Sequence, residues 1–163
     1  MRQGKDQNAR KKFWTIMVIL YIGFIFHNSL TPALESSRQS GGVLAIVLSV
    51  ADSVGVESIW ITEHLIRKMA HFAEYTLLGV LFSVTVRQYA FALATERLAK
   101  CWLGTMVPLV DETIQLFVEG RSGQISDVWL DMAGVLTGIL TVWLARGLRR
   151  MRAGRDMGWR DRI

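Results

Sequence analysis

The chain has 163 residues, 51% of them hydrophobic, a positive mean hydropathy of +0.28 and a formal net charge of +5. The charge is not spread as on a soluble domain: basic residues gather at the two ends, Arg2 to Lys12 and Arg146 to Arg162, with long apolar runs between. That distribution excludes a nucleic-acid binder, whose basic residues line one folded face among aromatics, and reads instead as a protein partnered with the lipid bilayer. A single cysteine, Cys101, excludes a disulfide framework and a Cys-rich metal site. Its apolar surroundings predict a small buried hydrophobe.

Residues 1–12 form a basic tail. A basic start followed by an apolar stretch also describes a signal peptide, but Phe26-His27-Asn28-Ser29-Leu30 offers no small-residue cleavage site. The expectation is an uncleaved first span from Phe13 to Leu30, just long enough for a hydrocarbon core of roughly 30 Å. Pro32 ends it by disfavouring helical geometry at Thr31. In residues 31–67, the apolar run Val43 to Val50 lies between Gly41-Gly42 and Asp52 and is too short to cross. Glu57, Glu63 and Arg67 then alternate with Ile59, Trp60, Ile61 and Leu65, which predicts one or two short helices on the membrane surface.

The second span is expected from Lys68 to Val86, followed by a mixed connector to Lys100. The third runs from Cys101 to Val118, opened or bent by Pro108, and the fourth from Val128 to Ala145. The membrane domain is thus 13–145 and residues 146–163 form a second basic tail. The predicted class is all-α: a four-helix transmembrane bundle with short outward-facing interfacial helices.

Charge sets the orientation. Five basic residues face one acid before the first span, Arg87, Arg97 and Lys100 face Glu96 in the second connector, and seven arginines face Asp156 and Asp161 at the end. The first connector is acidic instead, with Arg38 and Arg67 against Glu35, Asp52, Glu57 and Glu63. The positive-inside rule places both termini in the cytoplasm of a multi-pass cell-membrane protein. With that topology every strongly polar residue of the spans falls in an outward half. Lys68, His71, Glu74 and Tyr75 share a face of the second helix, Asp111 and Gln115 a face of the third, and Asp127, Asp131, Gly134 and Gly138 a stripe of the fourth. A lone carboxylate facing lipid costs about 3 kcal/mol, so these stripes should face one another or a wet cavity. Gly134-x-x-x-Gly138 allows the close helix approach this requires.

Three stretches together resemble the VanZ-like membrane proteins: Arg67-Lys68-Met69-Ala70-His71-Phe72-Ala73-Glu74-Tyr75, then Asp111-Glu112-Thr113-Ile114-Gln115-Leu116-Phe117 with Gly120-Arg121-Ser122-Gly123, then Asp127 and Asp131-Met132-Ala133-Gly134. Order and spacing match over roughly residues 14–145. Glu119 stands where members often carry proline. The resemblance implies a small multi-span protein of the cell envelope, in a family whose naming member is associated with resistance to the glycopeptide teicoplanin.

The expected site is an outward-opening polar cavity binding a lipid-linked or peptidoglycan-related ligand, through Lys68, Gln115, Arg121, Asp127 and Asp131. The alternative is a membrane-embedded enzyme acting on a lipid-linked substrate, with His71, Glu74, Asp111 and Glu112 as acid–base or metal-binding groups. A carrier is disfavoured because the inner halves of the spans are nearly uncharged. Simpler roles compete at each position: His71 as a hydrogen-bonded strut to Asp111 or Glu112, Asp127 as a helix-start residue after Ser126, and Lys68 or Arg121 as snorkelling cations. No stretch has a zinc spacing such as His-Glu-x-x-His, so the sequence assigns no metal and identifies no cofactor.

Overall fold

The computed structural model describes residues 2–55 and 60–160, with side chains for 4–55 and 60–153. It contains five helices: α1 (Arg2–Ser29), α2 (Ala33–Ser53), α3 (Glu63–Gln88), α4 (Leu93–Gln115) and α5 (Ile125–Arg160). Among the described residues there is no strand, so the class is all-α.

The first departure from expectation is α2. One helix of 21 residues replaces the one or two short interfacial helices expected there. Gly41 and Gly42 do not bound it, because no proline lies between Ala33 and Ser53 to remove a backbone donor. The glycines cost only about 1 kcal/mol each in helix propensity, and nothing lies within 4 Å of the side-chain positions they leave open. Pro32 acts as expected: it takes the N-cap position in extended geometry, and α2 leaves α1 at 105°. Glu57 and Ile59 lie outside the described residues. Helix resumes at Glu63, where the Thr62 hydroxyl caps it by accepting from the Leu65 amide at 3.2 Å.

The second departure is α4, which starts at Leu93 and ends at Gln115 rather than running from Cys101 to Val118. Glu96, Arg97 and Lys100 are therefore helical, and the connector shrinks to a turn in which Ala90 takes φ +50°. Lys100 Nζ donates to Glu96 Oε1 at 2.6 Å one turn away. This bond holds the Glu96 carboxyl below its ordinary range. Pro108 lies inside α4, fully buried, and the helix continues through it.

Length and composition allow α3 and α5 to cross a membrane, and α1 with α2 qualify as one broken pair, making two or three candidate spans among the described residues rather than four. α4 falls short because its apolar stretch is hemmed by Glu96, Arg97 and Lys100 on one side and by Asp111 and Glu112 on the other. Cys101 is exposed on the outside of the bundle, not buried as its apolar setting suggested.

α3 and α5 pack parallel along most of their length. Glycines make this possible. A side chain at Gly134 would meet the Phe72 carbonyl at 2.8 Å, and one at Gly138 would meet the Thr76 carbonyl and, at 2.8 Å, the Val80 amide. Gly79 returns the fit from α3, lying against the Val135 backbone. α1 runs antiparallel to α3: the Tyr21 hydroxyl donates to the Glu74 carbonyl at 3.1 Å, and at the far end the Thr85 hydroxyl donates to the Trp14 carbonyl at 3.3 Å. α4 packs antiparallel to α5, with Gly104 against Val135. The apolar core joins Tyr75, Leu78 and Phe82 of α3 to Val18 and Ile25 of α1, Val107 of α4 and Val135 of α5.

Candidate functional site

The helix directions bring the polar residues to one end of the bundle. Down the shared face of α3, each side chain finds a different neighbour. Lys68 Nζ donates to Asp127 Oδ1 at 2.8 Å. One turn on, His71 Nδ1 faces Asp131 Oδ1 at 3.9 Å, beyond hydrogen-bonding distance. Glu74 Oε1 accepts from Asn28 Nδ2 at 2.7 Å. Tyr75 is fully buried, and its hydroxyl lies beside Asp111 without hydrogen-bonding geometry to it.

Two aspartates are 0% exposed, and they are treated differently. Asp111 accepts from the Ser29 hydroxyl at Oδ1 and from Gln115 Nε2 at Oδ2, the latter at 3.4 Å. Among the described residues Asp131 has no hydrogen-bond partner for either oxygen. One ligand-capable atom from each of His71, Asp111 and Asp131 lies within 4.8 Å of the others. Glu112 points elsewhere, accepting from the Gln124 amide at 2.9 Å and from Gln115 Nε2 at 3.0 Å.

The turn between α4 and α5 supplies Arg121. Gly120 takes φ +73°, which a glycine adopts without penalty, and the Glu119 carbonyl accepts from the Ala33 amide at 3.2 Å, tying the turn to the start of α2. Arg121 Nη2 donates to the Asn28 carbonyl at 3.4 Å, and no carboxylate lies within ion-pair distance of it among the described residues. Partial burial pushes its guanidinium below the ordinary arginine value, against the pull of Asp111.

Two hollows meet here. A cavity of about 100 Å³ is lined by Ser36, His64, Arg67, Lys68, His71, Gln115, Arg121, Asp127 and Asp131, among others. A more open groove of about 620 Å³ shares Ser36, Arg67, His71 and Arg121 with it, adds Asn28 and Glu74, and has Phe24, Val43, Ile66 and Met69 on an apolar flank.

Of the residues singled out from sequence, Lys68, His71, Gln115, Arg121, Asp127 and Asp131 border the cavity, and Glu74 borders the groove. Asp111 and Glu112 line neither hollow. The strut expected from His71 to Asp111 or Glu112 is not formed, since its nearest carboxylate is that of Asp131. α5 begins at Ile125, which puts Ser126 and Asp127 inside its first turn, where the Asp127 carboxylate serves Lys68. Arg67, His64, Ser36, Asn28 and Ser29 were not among the candidates. Arg67 had a signal, standing four residues before His71 on the same helical face. For Asn28 and Ser29 the polar end of the first span was visible, but not the acids they bond.

No curated protein and no solved structure matches the chain. A family model does: that of VanZ/LLP1 aligns with residues 13–146, nearly all of the helical bundle, including each residue of the polar end described above. The chain belongs to the VanZ/LLP1 family.

Proposed function

We propose that this VanZ-like chain crosses the cell membrane four times with both termini in the cytoplasm, and that its polar end opens outward and binds a lipid-linked ligand by its phosphate. Such a ligand, a carrier of cell-envelope building blocks, is the point at which the protein would bear on glycopeptide (teicoplanin) resistance. The alternation of helix directions supports four crossings: α1 and α4 run one way, α3 and α5 the other. The basic residues Lys11, Arg87, Arg97, Lys100 and Arg146 sit at the opposite end, as an inward-facing end requires.

The observation that carries the binding reading is the groove. Its apolar flank of Phe24, Val43, Ile66 and Met69 suits an acyl or prenyl chain, and it leads to Arg67 and Arg121. Guanidinium forks match phosphate oxygens in pairs, and Arg121 has no carboxylate partner to displace. Lys68 plays no direct part, being neutralised by Asp127.

Native mass spectrometry of the full chain in mild detergent tests this with a polyprenyl phosphate and the matching polyprenol. The phosphate should bind and the alcohol should not. Arg121→Ala should weaken binding at least tenfold, because a charge-assisted hydrogen bond is worth about 1.5–3 kcal/mol. Equal binding of phosphate and alcohol, or no effect of Arg121→Ala, would refute the reading.

A further inference from the structure

Asp131 poses a problem that the cleft alone does not solve. It is fully buried, neither of its oxygens has a hydrogen-bond partner, and no lysine or arginine nitrogen is within ion-pair distance of it or of Asp111 among the described residues. Two buried carboxylates this close repel, and an uncompensated buried charge costs about 3–5 kcal/mol. The nearby cations do not compensate it: Lys68 is paired with Asp127, and Arg121 makes no ion pair with either aspartate among the described residues.

We propose that His71, Asp111 and Asp131 together bind one divalent transition-metal ion, Zn²⁺ or Mn²⁺, at the base of the polar cleft. The ligand atoms stand too far apart for hydrogen bonds and near enough for a common ion to draw them together. His71 Nδ1 and Asp131 Oδ1 are 3.9 Å apart, and the three ligand atoms all lie within 4.8 Å of one another. Ligands bound at about 2.1 Å to a shared ion stand ~3–4 Å from each other. One imidazole nitrogen with two carboxylate oxygens is a donor set that borderline divalent metals accept. The charges balance too, since a dication neutralises both aspartates where the surroundings are least able to solvate them.

Supporting groups are in place. The Ser29 hydroxyl and the Gln115 amide hold Asp111 at its two oxygens, as outer partners orient a ligating carboxylate. The small cavity reaches both His71 and Asp131, giving an ion access from the cleft. No local spacing announces this set because each ligand comes from a different helix, α3, α4 and α5. The proposal deepens the cleft reading and rests on it for one thing, that a phosphate held by Arg67 and Arg121 would find the ion beside it.

The test uses metal alone. The full chain in detergent, stripped with EDTA and desalted, is titrated with Zn²⁺ and with Mn²⁺ by calorimetry, and bound metal is counted by mass spectrometry after gel filtration. Stoichiometric uptake of one of the two is expected, with a rise in melting temperature. His71→Ala and Asp131→Asn should each weaken binding at least ~10-fold, while Glu96→Gln at the far end should not. A monodisperse wild-type chain that takes up neither ion overturns the proposal whether or not the variants fold, and so does unchanged affinity in His71→Ala. Phosphate-lipid binding without metal uptake would strike down this inference alone; metal uptake without lipid binding would strike down the cleft reading alone.

Discussion

Lys68 Nζ reaches Asp127 Oδ1 at 2.8 Å, joining α3 to α5 near the starts of both helices. Both side chains remain about a third exposed, at 31% and 28%, so water and salt screen the pair. Its coupling energy should be about 1 kcal/mol or less. A double-mutant cycle with Lys68→Ala and Asp127→Ala, read by thermal unfolding in detergent, should return that small value and should shrink it further at high salt. A coupling several-fold larger would mean that the pair is held in a drier site than this one.

Gly138 should be far less tolerant than Gly147. A Cβ at Gly138 would meet α3 backbone, including the Val80 amide at 2.8 Å and the Gly79 carbonyl carbon at 3.0 Å, and backbone cannot turn aside. Gly138→Ala should separate the two helices at a cost of about 1–3 kcal/mol. At Gly147 nothing lies within 4 Å, so Gly147→Ala should be neutral or gain up to about 1 kcal/mol in helix propensity. Melting temperatures of the two variants, measured side by side, check the order.

Glu112 should behave as a brace for the α4–α5 turn. It accepts the Gln124 backbone amide and the buried Gln115 side chain, so Glu112→Ala removes the tie from α4 to the turn and one acceptor of Gln115, at about 1–3 kcal/mol. The expected signs are lower folded yield and faster proteolysis within residues 116–124. Lipid binding by the molecules that do fold should be kept. Normal stability with lost lipid binding would return Glu112 to the site.

The polar end was legible in the sequence because helical spacing is strict: Lys68, His71 and Glu74 had to share a face, and Gly134 and Gly138 had to mark a close approach. That α3 is the helix α5 packs against was not legible, since Gly79, the third glycine of that contact, sits alone in an apolar run with no pattern around it. The extent of α2 was missed for a related reason. Paired glycines suggest a boundary, yet with no proline inside α2 nothing forces the helix to stop there. The separate roles of Asp111, Glu112 and Asp131 depend on which neighbour each one meets, and those neighbours, Ser29, Gln124 and His71, come from two other helices and a turn.

An outward-facing polar end requires α4 to cross the membrane, and α4 is the helix that decides it. Its apolar stretch is the one most interrupted by charge, yet four crossings require it to span. In a Cys101→Ser background, needed because Cys101 is exposed, single cysteines at Glu35, Phe91, Ser122 and Arg152 can be probed in intact cells with a membrane-impermeant thiol reagent. Labelling is expected at Glu35→Cys and Ser122→Cys, and at Phe91→Cys and Arg152→Cys only after permeabilisation. Labelling of Phe91→Cys and Ser122→Cys from the same side would show that α4 does not cross, and would contradict the outward cleft.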